Sequence, residues 1–215
     1  MRFEDTSVYN IYNAILGARN PMNSWSRSDS VFKGYNGKIE NTVIGKNDLK
    51  LAQSLIKAGE PHRKFLRQIF VSVDITAPLY WWKEFDTYKV GTVANSTSTM
   101  HKLASTPITR DCFEMDDFEN IVDDDITLSA VWFALICDLE ELRKKYNETK
   151  DKRYWKELIR LLPESWLQKR TITMNYENVL NMIHQRRNHK LTEWSESFIG
   201  WAKTLPYAGE LLFLE

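Results

Sequence analysis

Residues 61–103 read PHRKFLRQIFVSVDITAPLYWWKEFDTYKVGTVANSTSTMHKL. Within this stretch, residues 68–76 alternate between apolar and polar side chains and are rich in β-branched types. A period of two with this composition predicts a strand that has one apolar face. Pro78 has no backbone N–H and suits the first turn of a helix, so a helix is predicted over residues 78–88. The stretch therefore predicts a strand followed by a helix.

The predicted helix carries four aromatic side chains, which are Tyr80, Trp81, Trp82 and Phe85. Core packing is the ordinary explanation for such a group. Gly91 is expected to end the helix. Residues 92–99 then form a loop, TVANSTST, that is rich in hydroxyl groups. Because functional side chains often lie on loops held by a rigid support, this loop is a candidate site.

The composition predicts one domain over residues 1–215, since 43% hydrophobic residues can form a sizeable core. Lys plus Arg and Asp plus Glu number 29 each, so the charge balance does not indicate a nucleic-acid or membrane partner. No apolar run approaches the roughly 18 residues that would span a bilayer. The first residues, MRFEDTSVYN, lack the apolar region of a secretory signal. The sequence therefore predicts a cytoplasmic protein.

The N-terminal part is predicted to contain a helix and a surface excursion. Apolar residues at helical spacing predict the helix over residues 6–18. Residues 20–47 are rich in Asn, Ser, Gly and Asp and predict the excursion, with a hairpin across the turn Tyr35-Asn36-Gly37-Lys38. Long loops are often functional, so two interpretations stand: Trp25, Arg27 and Ser28 reach a neighbouring site, or the excursion is a flexible insertion.

The remaining elements predict an α+β fold with a small antiparallel sheet packed with several helices. A helix is predicted to begin at Asn47 or Asp48 as N-cap and to end at Ala58, before Gly59. The longest helix is predicted over 127–147, with an inner stripe that includes Val131. The other predicted elements are helices over 152–162, 177–187 and 191–205 and a strand over 168–175.

No metal site is predicted. The acidic residues of 111–125 lack the Asp-x-Asp-x-Asp-Gly pattern of a calcium loop and are interpreted as a solvated face that also caps the next helix. Cys112 and Cys137 are interpreted as reduced thiols. His184 and His189 are five residues apart, which does not place them on one helix face for zinc. Serine hydrolysis is not indicated, because no Gly-x-Ser-x-Gly occurs.

The order of strand, Ala77-Pro78, aromatic helix and polar loop closing on Lys102-Leu103 resembles the flavin-dependent thymidylate synthases. The signature of that family is Arg-His-Arg, seven residues, Ser, any residue and Arg. Laid without a gap, the signature falls on Thr87, Tyr88, Lys89, Thr97 and Thr99. Only one of its three arginines keeps even its charge, as Lys89. The architecture is therefore better matched than the chemistry.

The resemblance covers about residues 60–105 and 155–205. It implies a flavin-binding group formed by Thr87, Tyr88, Lys89, Asn175 and Asn181. It implies a nucleotide-binding group formed by Glu84, Asn95, Thr97, Ser98, Thr99, Arg160 and Arg186. Asn175 and Asn181 have a structural alternative, because asparagines at helix ends commonly form hydrogen bonds with backbone groups. Arg186 has another, because a basic residue is favoured in the last turn of a helix.

The chemistry implied by the resemblance is methylene transfer from a folate to deoxyuridine monophosphate, followed by reduction with hydride from FADH2. It implies FAD as cofactor, a reduced folate and NADPH as co-substrates, and a homotetramer with pockets between subunits. The 8 Trp, 9 Tyr and 10 Phe residues suit such an assembly. No residue is assigned a catalytic role.

Three functions stay open at this point. The chain is an enzyme, a nucleotide- or flavin-binding module without turnover, or a structural homo-oligomer whose pocket is filled by its own side chains. Isolated departures from the signature would favour the enzyme, whereas the coordinated departures at Thr87, Tyr88, Asn95 and Thr99 favour the second and third hypotheses. At Thr99, for example, a threonine offers one neutral hydrogen bond where arginine offers a charged pair.

Overall fold

A computed structural model of the chain describes residues 1–115 and 126–214. In these residues the sheet has six strands in the order β2-β3-β1-β4-β6-β5. The strands are Arg2–Tyr9 (β1), Val31–Asn36 (β2), Ile39–Val43 (β3), Phe70–Pro78 (β4), Val93–Ser96 (β5) and Leu167–Asn175 (β6). The α-helices are Ile11–Gly17 (α1), Lys46–Lys57 (α2), Leu79–Phe85 (α3), Thr99–Lys102 (α4), Ile126–Thr149 (α5), Lys152–Leu161 (α6), Tyr176–Arg186 (α7) and Ile199–Lys203 (α8). The predicted α+β class is confirmed.

The chain divides into two compact units. Unit 1 consists of Met1, Thr76–Asp86 and Ser96–Arg170, and unit 2 consists of Arg2–Ile75, Thr87–Asn95 and Thr171–Glu215. The assignment of residues 1–215 to one domain stays a prediction.

In unit 2, the paired strands β4 and β6 show the alternation that the sequence predicts. Val71, Val73 and Ile75 are buried, and so are Ile172 and Met174. Burial of each such side chain contributes about 1.5–3 kcal/mol. The opposite face is polar, and there the hydroxyl of Thr171 donates to the carboxylate of Asp74 at 2.6 Å. The two predicted strands are therefore confirmed, with boundaries shifted by one or two residues.

The helix predicted over residues 6–18 is wrong in its first part. Residues up to Tyr9 belong to β1, which pairs in parallel with β3 so that Val8 is opposite Ile39. Asn10, with a φ of 69°, separates this strand from α1. Val8 is fully buried, as it would be in either a strand or a helix. Its apolar side chain therefore does not distinguish the two patterns, and this is why the prediction failed here.

The predicted excursion over residues 20–47 contains the predicted hairpin. Strands β2 and β3 are antiparallel and are joined by a turn at Gly37, which has a φ of 58°. On β3, Glu40 and Thr42 are buried. Residues 39–43 therefore contribute to the interior of unit 2.

The N-cap predicted for α2 is wrong. The N-cap is Gly45, and the cap is supplied from a distance by Asp29, whose carboxylate accepts the backbone N–H groups of Asn47 (2.9 Å) and Asp48 (3.1 Å). The Asp48 side chain is buried in a different network. Gly59 follows the helix with a φ of 94°, as its position predicts.

In unit 1, a cluster of buried side chains joins the residues after α4 to α5 and α6. Its members are Leu103, Ile108, Phe113, Leu139 and Leu158. Trp81, Trp82 and Phe85 of α3 are also buried, which confirms the core role predicted for these aromatic rings. Val131 is more than half exposed, so its place in the predicted inner stripe of α5 is wrong.

Several helix ends differ from the prediction. Pro78 ends β4 and is the N-cap of α3, which stops at Phe85, so Gly91 does not end this helix. The helix predicted over 191–205 consists of a π-helical turn, Glu193–Phe198, followed by α8.

The acidic stretch interpreted as a solvated face covers residues 111–125, of which 116–125 lie outside the described residues. Within the described part, Asp111 is exposed and Glu114 accepts a hydrogen bond from the N-terminal ammonium at 2.7 Å. Both cysteines are free thiols, as expected. Among the described residues, no helix is long and apolar enough to cross a membrane.

Candidate functional site

The predicted site residues are distributed over both units. Unit 1 contains Glu84, Thr97, Ser98, Thr99 and Arg160. Unit 2 contains Thr87, Tyr88, Lys89, Asn95, Asn175, Asn181 and Arg186. Each unit forms its own cavity around some of these residues.

The loop predicted over residues 92–99 is wrong for residues 93–96, which form β5, and for Thr99, which begins α4. In unit 1, the connection from β5 to α4 lines a cavity of about 190 Å³, called here the hydroxyl cavity. Its polar lining consists of Thr97, Ser98, Thr99, Lys102, Ser105 and Thr106. Its apolar wall consists of Leu103, Trp166 and Leu167. The structure therefore brings together three predicted nucleotide-binding residues and adds a lysine, Lys102, that sequence reasoning did not select as a site residue. The signal was present, since Lys102 lies three residues after Thr99.

Hydrogen bonds to β6 hold this loop in place. The Thr97 N–H donates to the carbonyl of Lys169 at 2.9 Å, and the Gln168 side chain donates to the Thr97 carbonyl at 2.8 Å. Ser98 is the N-cap of α4, and its hydroxyl accepts the N–H of His101. Because the Ser98 hydroxyl is engaged in this cap, Thr99 and Lys102 are the better candidates for contact with a ligand.

Two predicted nucleotide-binding residues of unit 1 do not line the hydroxyl cavity. Glu84 lies half-buried on α3. Arg160 is exposed on α6 and pairs with Glu157 at 3.0 Å, one turn earlier on the same helix. Such a surface pair contributes little to stability, so this arginine is a surface residue of unit 1.

In unit 2, a cavity of about 460 Å³ surrounds the start of α7 and is called here the asparagine cavity. Its lining consists of Glu60, Arg67, Val90, Gly91, Asn175, Glu177, Asn178 and Asn181. The two asparagines predicted to contact flavin therefore lie at one cavity. Asn178, Arg67 and Glu177 were missed by sequence reasoning, although the spacing of Glu177 and Asn181 by four residues places them on one face of a helix.

A capping box fixes the first turn of α7. The side chain of Asn175 accepts the Asn178 N–H at 3.0 Å, and the side chain of Asn178 accepts the Asn175 N–H at 3.2 Å. The capping alternative for Asn175 is therefore confirmed. The Asn178 amide also donates to the carbonyl of Val90 at 2.7 Å, which ties the preceding loop to the helix.

Gly91 allows this close approach. Its φ is 79°, a left-handed conformation that side chains disfavour. A Cβ at this position would lie 2.8 Å from the Asn178 side-chain oxygen and 3.0 Å from the Asn175 side-chain nitrogen. The glycine is therefore required both by its conformation and by the space at the cavity wall.

A network of charges orients Asn181. Arg63 donates to Glu177 at 3.1 Å and to the side-chain oxygen of Asn181 at 3.0 Å. Arg67 also donates to Glu177, and it bonds Glu60 at 3.0 Å. The hydrogen bond to Glu177 raises the pKa of the Arg67 guanidinium above its ordinary value. Since the oxygen of Asn181 accepts from Arg63, its amide nitrogen is the atom available to donate.

Tyr88 and Arg186 meet beside the end of α7. The Arg186 guanidinium donates to the Tyr88 hydroxyl at 2.8 Å, and this hydroxyl donates to Gln185 at 2.9 Å. The Arg186 guanidinium also lies 5.0 Å from the centroid of the Trp194 ring. A predicted nucleotide-binding residue therefore contacts a predicted flavin-binding residue. Arg186 also lies in the last turn of the helix, as the structural alternative predicts.

The other predicted residues of unit 2 are exposed. Thr87 and Lys89 lie between α3 and β5, and Asn95 lies on β5. None of them lines the asparagine cavity.

Comparison with known proteins identifies the fold. No family model and no curated protein matches this sequence. Among the solved structures that match are two that cover nearly the whole chain: both are of flavin-dependent thymidylate synthase ThyX from Helicobacter pylori, with FAD and dUMP. The TM-scores are 0.69 and 0.70, and the matches cover 99% of this chain and 98% and 97% of the others.

The chain has the fold of a flavin-dependent thymidylate synthase. The architectural part of the resemblance is therefore confirmed. Sequence identity is 16% in both comparisons, so the roles of individual residues stay predictions.

Proposed function

We propose that this protein is a divergent flavin-dependent thymidylate synthase-like enzyme, which catalyses FAD-assisted methylene transfer to a pyrimidine deoxynucleotide and reduction of the transferred group. The observation that carries this proposal is the shared fold over 99% of the chain with a protein solved with FAD and dUMP. The clustering of Thr97, Ser98 and Thr99 at one cavity supports it.

The hydroxyl cavity is proposed to bind the phosphate of the nucleotide. At about 190 Å³ it is smaller than the roughly 300–1,000 Å³ typical of whole-ligand pockets, so it suits a phosphate group. The Lys102 ammonium supplies a positive charge, and the hydroxyl of Thr99 supplies a neutral donor. Lys102 thereby replaces part of the charge that is missing at Thr99.

The asparagine cavity is proposed to bind the ring system of FAD. Its volume of about 460 Å³ lies within the usual range for ligand pockets. Asparagine amides both donate and accept hydrogen bonds, which fits the carbonyl and N–H groups at the edge of a flavin ring. Asn181 is oriented for donation by Arg63. Arg67 is already paired with two carboxylates, so this cavity fits the uncharged ring better than the diphosphate.

When bound, FAD supplies the hydride chemistry. The chain's own residues bind and orient: Lys102 and Thr99 hold the nucleotide phosphate, and Asn181 holds the flavin ring edge. By the same resemblance we propose a homotetramer with shared sites, and a reduced folate and NADPH as co-substrates.

Nucleotide binding is tested by titrating the full chain with deoxyuridine monophosphate in a calorimeter. Lys102→Ala should weaken binding about tenfold or more, because a charge-assisted hydrogen bond contributes about 1.5–3 kcal/mol. Lys156→Ala is the matched control, since Lys156 is exposed on α6 and outside the cavity. Equal affinities for the two variants would place the phosphate elsewhere.

Flavin binding is tested by the quenching of FAD fluorescence. Asn181→Ala should weaken FAD binding, whereas Asn188→Ala, at an exposed position after α7, should leave it unchanged. Protein that is colourless and does not quench FAD would refute the flavin part of the proposal.

A further inference from the structure

A group of four aromatic side chains in unit 2 lines neither of the two cavities described above. Tyr9, Phe32 and Tyr35 are 40–55% exposed, and Tyr12 is half-buried. The four rings, called here the aromatic cluster, line a cavity of about 380 Å³ together with Asn10, Asn13 and Glu40. Exposed aromatic surface concentrated at one cavity indicates a binding site.

The rings are close enough to act on one ligand. Their centroids are separated by 6.3 Å for Tyr9 and Tyr35, 6.1 Å for Tyr12 and Phe32, and 5.9 Å for Phe32 and Tyr35. A cation is attracted by an aromatic face within about 6 Å of the ring centroid. One small cation in the cavity beside these rings can therefore lie within that distance of more than one of them.

A β-bulge places two of the rings together. Phe32 and Tyr35 are three residues apart, and regular alternation along a strand would turn them to opposite faces. The register of β2 against β3 shifts between these two residues, and Gly34 between them has a φ of 93°. The bulge re-aims one side chain, so that both rings meet.

A second special backbone position brings Tyr9 and Tyr12 to the same cavity. Asn10, between them, has a φ of 69°, which is uncommon for a residue other than glycine. Its side chain donates to the carbonyl of Gln68 at 2.9 Å and accepts from Asn13 at 2.9 Å. The turn from β1 into α1 is thereby fixed.

The only acidic group of the cavity lining is Glu40, and none of the seven described lining residues is basic. Glu40 is 5% exposed, and its carboxylate accepts the backbone N–H groups of Ile11 (3.0 Å) and Tyr12 (2.7 Å). A fixed carboxylate beside electron-rich ring faces favours a positively charged ligand.

We propose that the aromatic cluster binds a small organic cation of the trialkylammonium class, with Glu40 as the counter-charge. The rings supply cation–π attraction and apolar contact with the methyl groups, and the cation balances a buried carboxylate. This site shares no lining residue with the proposed nucleotide and flavin cavities, and it gives the hairpin of residues 31–43 a binding role.

The test uses the full chain and a pair of ligands of the same shape. Choline carries the positive charge, and 3,3-dimethylbutan-1-ol is its neutral isostere. Binding is followed by calorimetry and by NMR shifts of the tyrosine rings. Choline should bind about tenfold or more tightly than the isostere. Equal affinity for the two ligands, or the absence of binding by both at millimolar concentration, would overturn the proposal.

Variants locate the site. Phe32→Ala and Tyr35→Ala should each weaken choline binding by about 2- to 30-fold, whereas Tyr35→Phe should retain it, because the ring face is kept. Phe70→Ala is the matched control, since Phe70 is an exposed aromatic residue outside this cavity. Unchanged binding in both ring-deletion variants would overturn the proposal.

Discussion

The buried ion pair between Asp48 and Arg19 gives a quantitative test of the structure of unit 2. Asp48 is 2% exposed and Arg19 is 5% exposed, and the guanidinium Nε lies 2.5 Å from the carboxylate oxygen. Asp48→Ala removes the partner of a buried charge. We expect this change to lower the free energy of unfolding by about 3–5 kcal/mol.

Residues just before the hairpin also donate hydrogen bonds to the Asp48 carboxylate, so the substitution removes these bonds as well. The Ser28 hydroxyl donates to it at 2.7 Å, and the backbone N–H groups of Asp29 and Ser30 donate at 3.2 and 3.1 Å. These residues directly precede β2. Asp48→Asn keeps the shape and one acceptor but loses the charge, so a smaller loss of about 1.5–3 kcal/mol is expected.

The contribution of Asp48 depends on pH in a defined direction. Burial by itself raises the pKa of Asp48, but hydrogen bonds from Ser30, Ser28 and Arg19 outweigh burial and bring the pKa below its ordinary value. A depressed folded-state pKa stabilises the protein above the unfolded-state pKa, and this stability is lost as pH falls through the folded value. The difference between wild type and Asp48→Asn should therefore be constant above about pH 4 and shrink below it.

Urea unfolding followed by circular dichroism, at neutral and acidic pH, measures these differences. Asp138→Ala, at an exposed position on α5, is the control. The double mutant Arg19→Met with Asp48→Ala should be more stable than Asp48→Ala alone, because no unpaired buried charge remains. A loss below about 1 kcal/mol for Asp48→Ala, or a double mutant no more stable than that variant, would refute the reasoning.

Four further predictions follow from other parts of the chain. Gly91→Ala should destabilise the protein by about 1–2 kcal/mol in urea unfolding, because its backbone is left-handed and two asparagine side chains lie against it; an unchanged midpoint would contradict this. The hydrogen bond from Arg143 holds the pKa of Glu140 at about 2, so Arg143→Met should raise the pKa of Glu140, measured by NMR titration, toward 4.5. An unchanged pKa of Glu140 would exclude this hydrogen bond as the cause. Thr99→Arg should strengthen deoxyuridine monophosphate binding by roughly tenfold or more, because it adds a charged donor at the hydroxyl cavity, and it should raise turnover in a methylene-transfer assay. No gain would show that the pocket differs in more than its charge. Light scattering should report a homotetramer, and a monomer at micromolar concentration would exclude shared sites.

The candidate site was predictable where it depends on short stretches of sequence. The hydroxyl cavity could be anticipated because Thr97, Ser98 and Thr99 are consecutive, and consecutive residues stay neighbours in any fold. The role of each hydroxyl group, as a helix cap, a hydrogen-bond partner or part of a cavity wall, depends on groups far away in sequence. One such group is the Lys169 carbonyl, which accepts a hydrogen bond from the Thr97 N–H.

The sequence by itself determined the local elements of this protein. The alternation of β4 and β6, the turn of the hairpin and the helical spacing of α5, α6 and α7 depend on side chains a few residues apart, and local propensity and burial agree there.

Only the tertiary structure decided the elements whose partners are distant in sequence. Val8 fits a helical pattern, but pairing with β3 makes its segment a strand. The cap of α2 comes from Asp29, and the orientation of Asn181 comes from Arg63. The bulge at Gly34, which brings Phe32 and Tyr35 together, exists only in the register of β2 against β3. The physical reason is that pairing register and buried hydrogen bonds are set by groups the chain brings together on folding, and no local pattern records them.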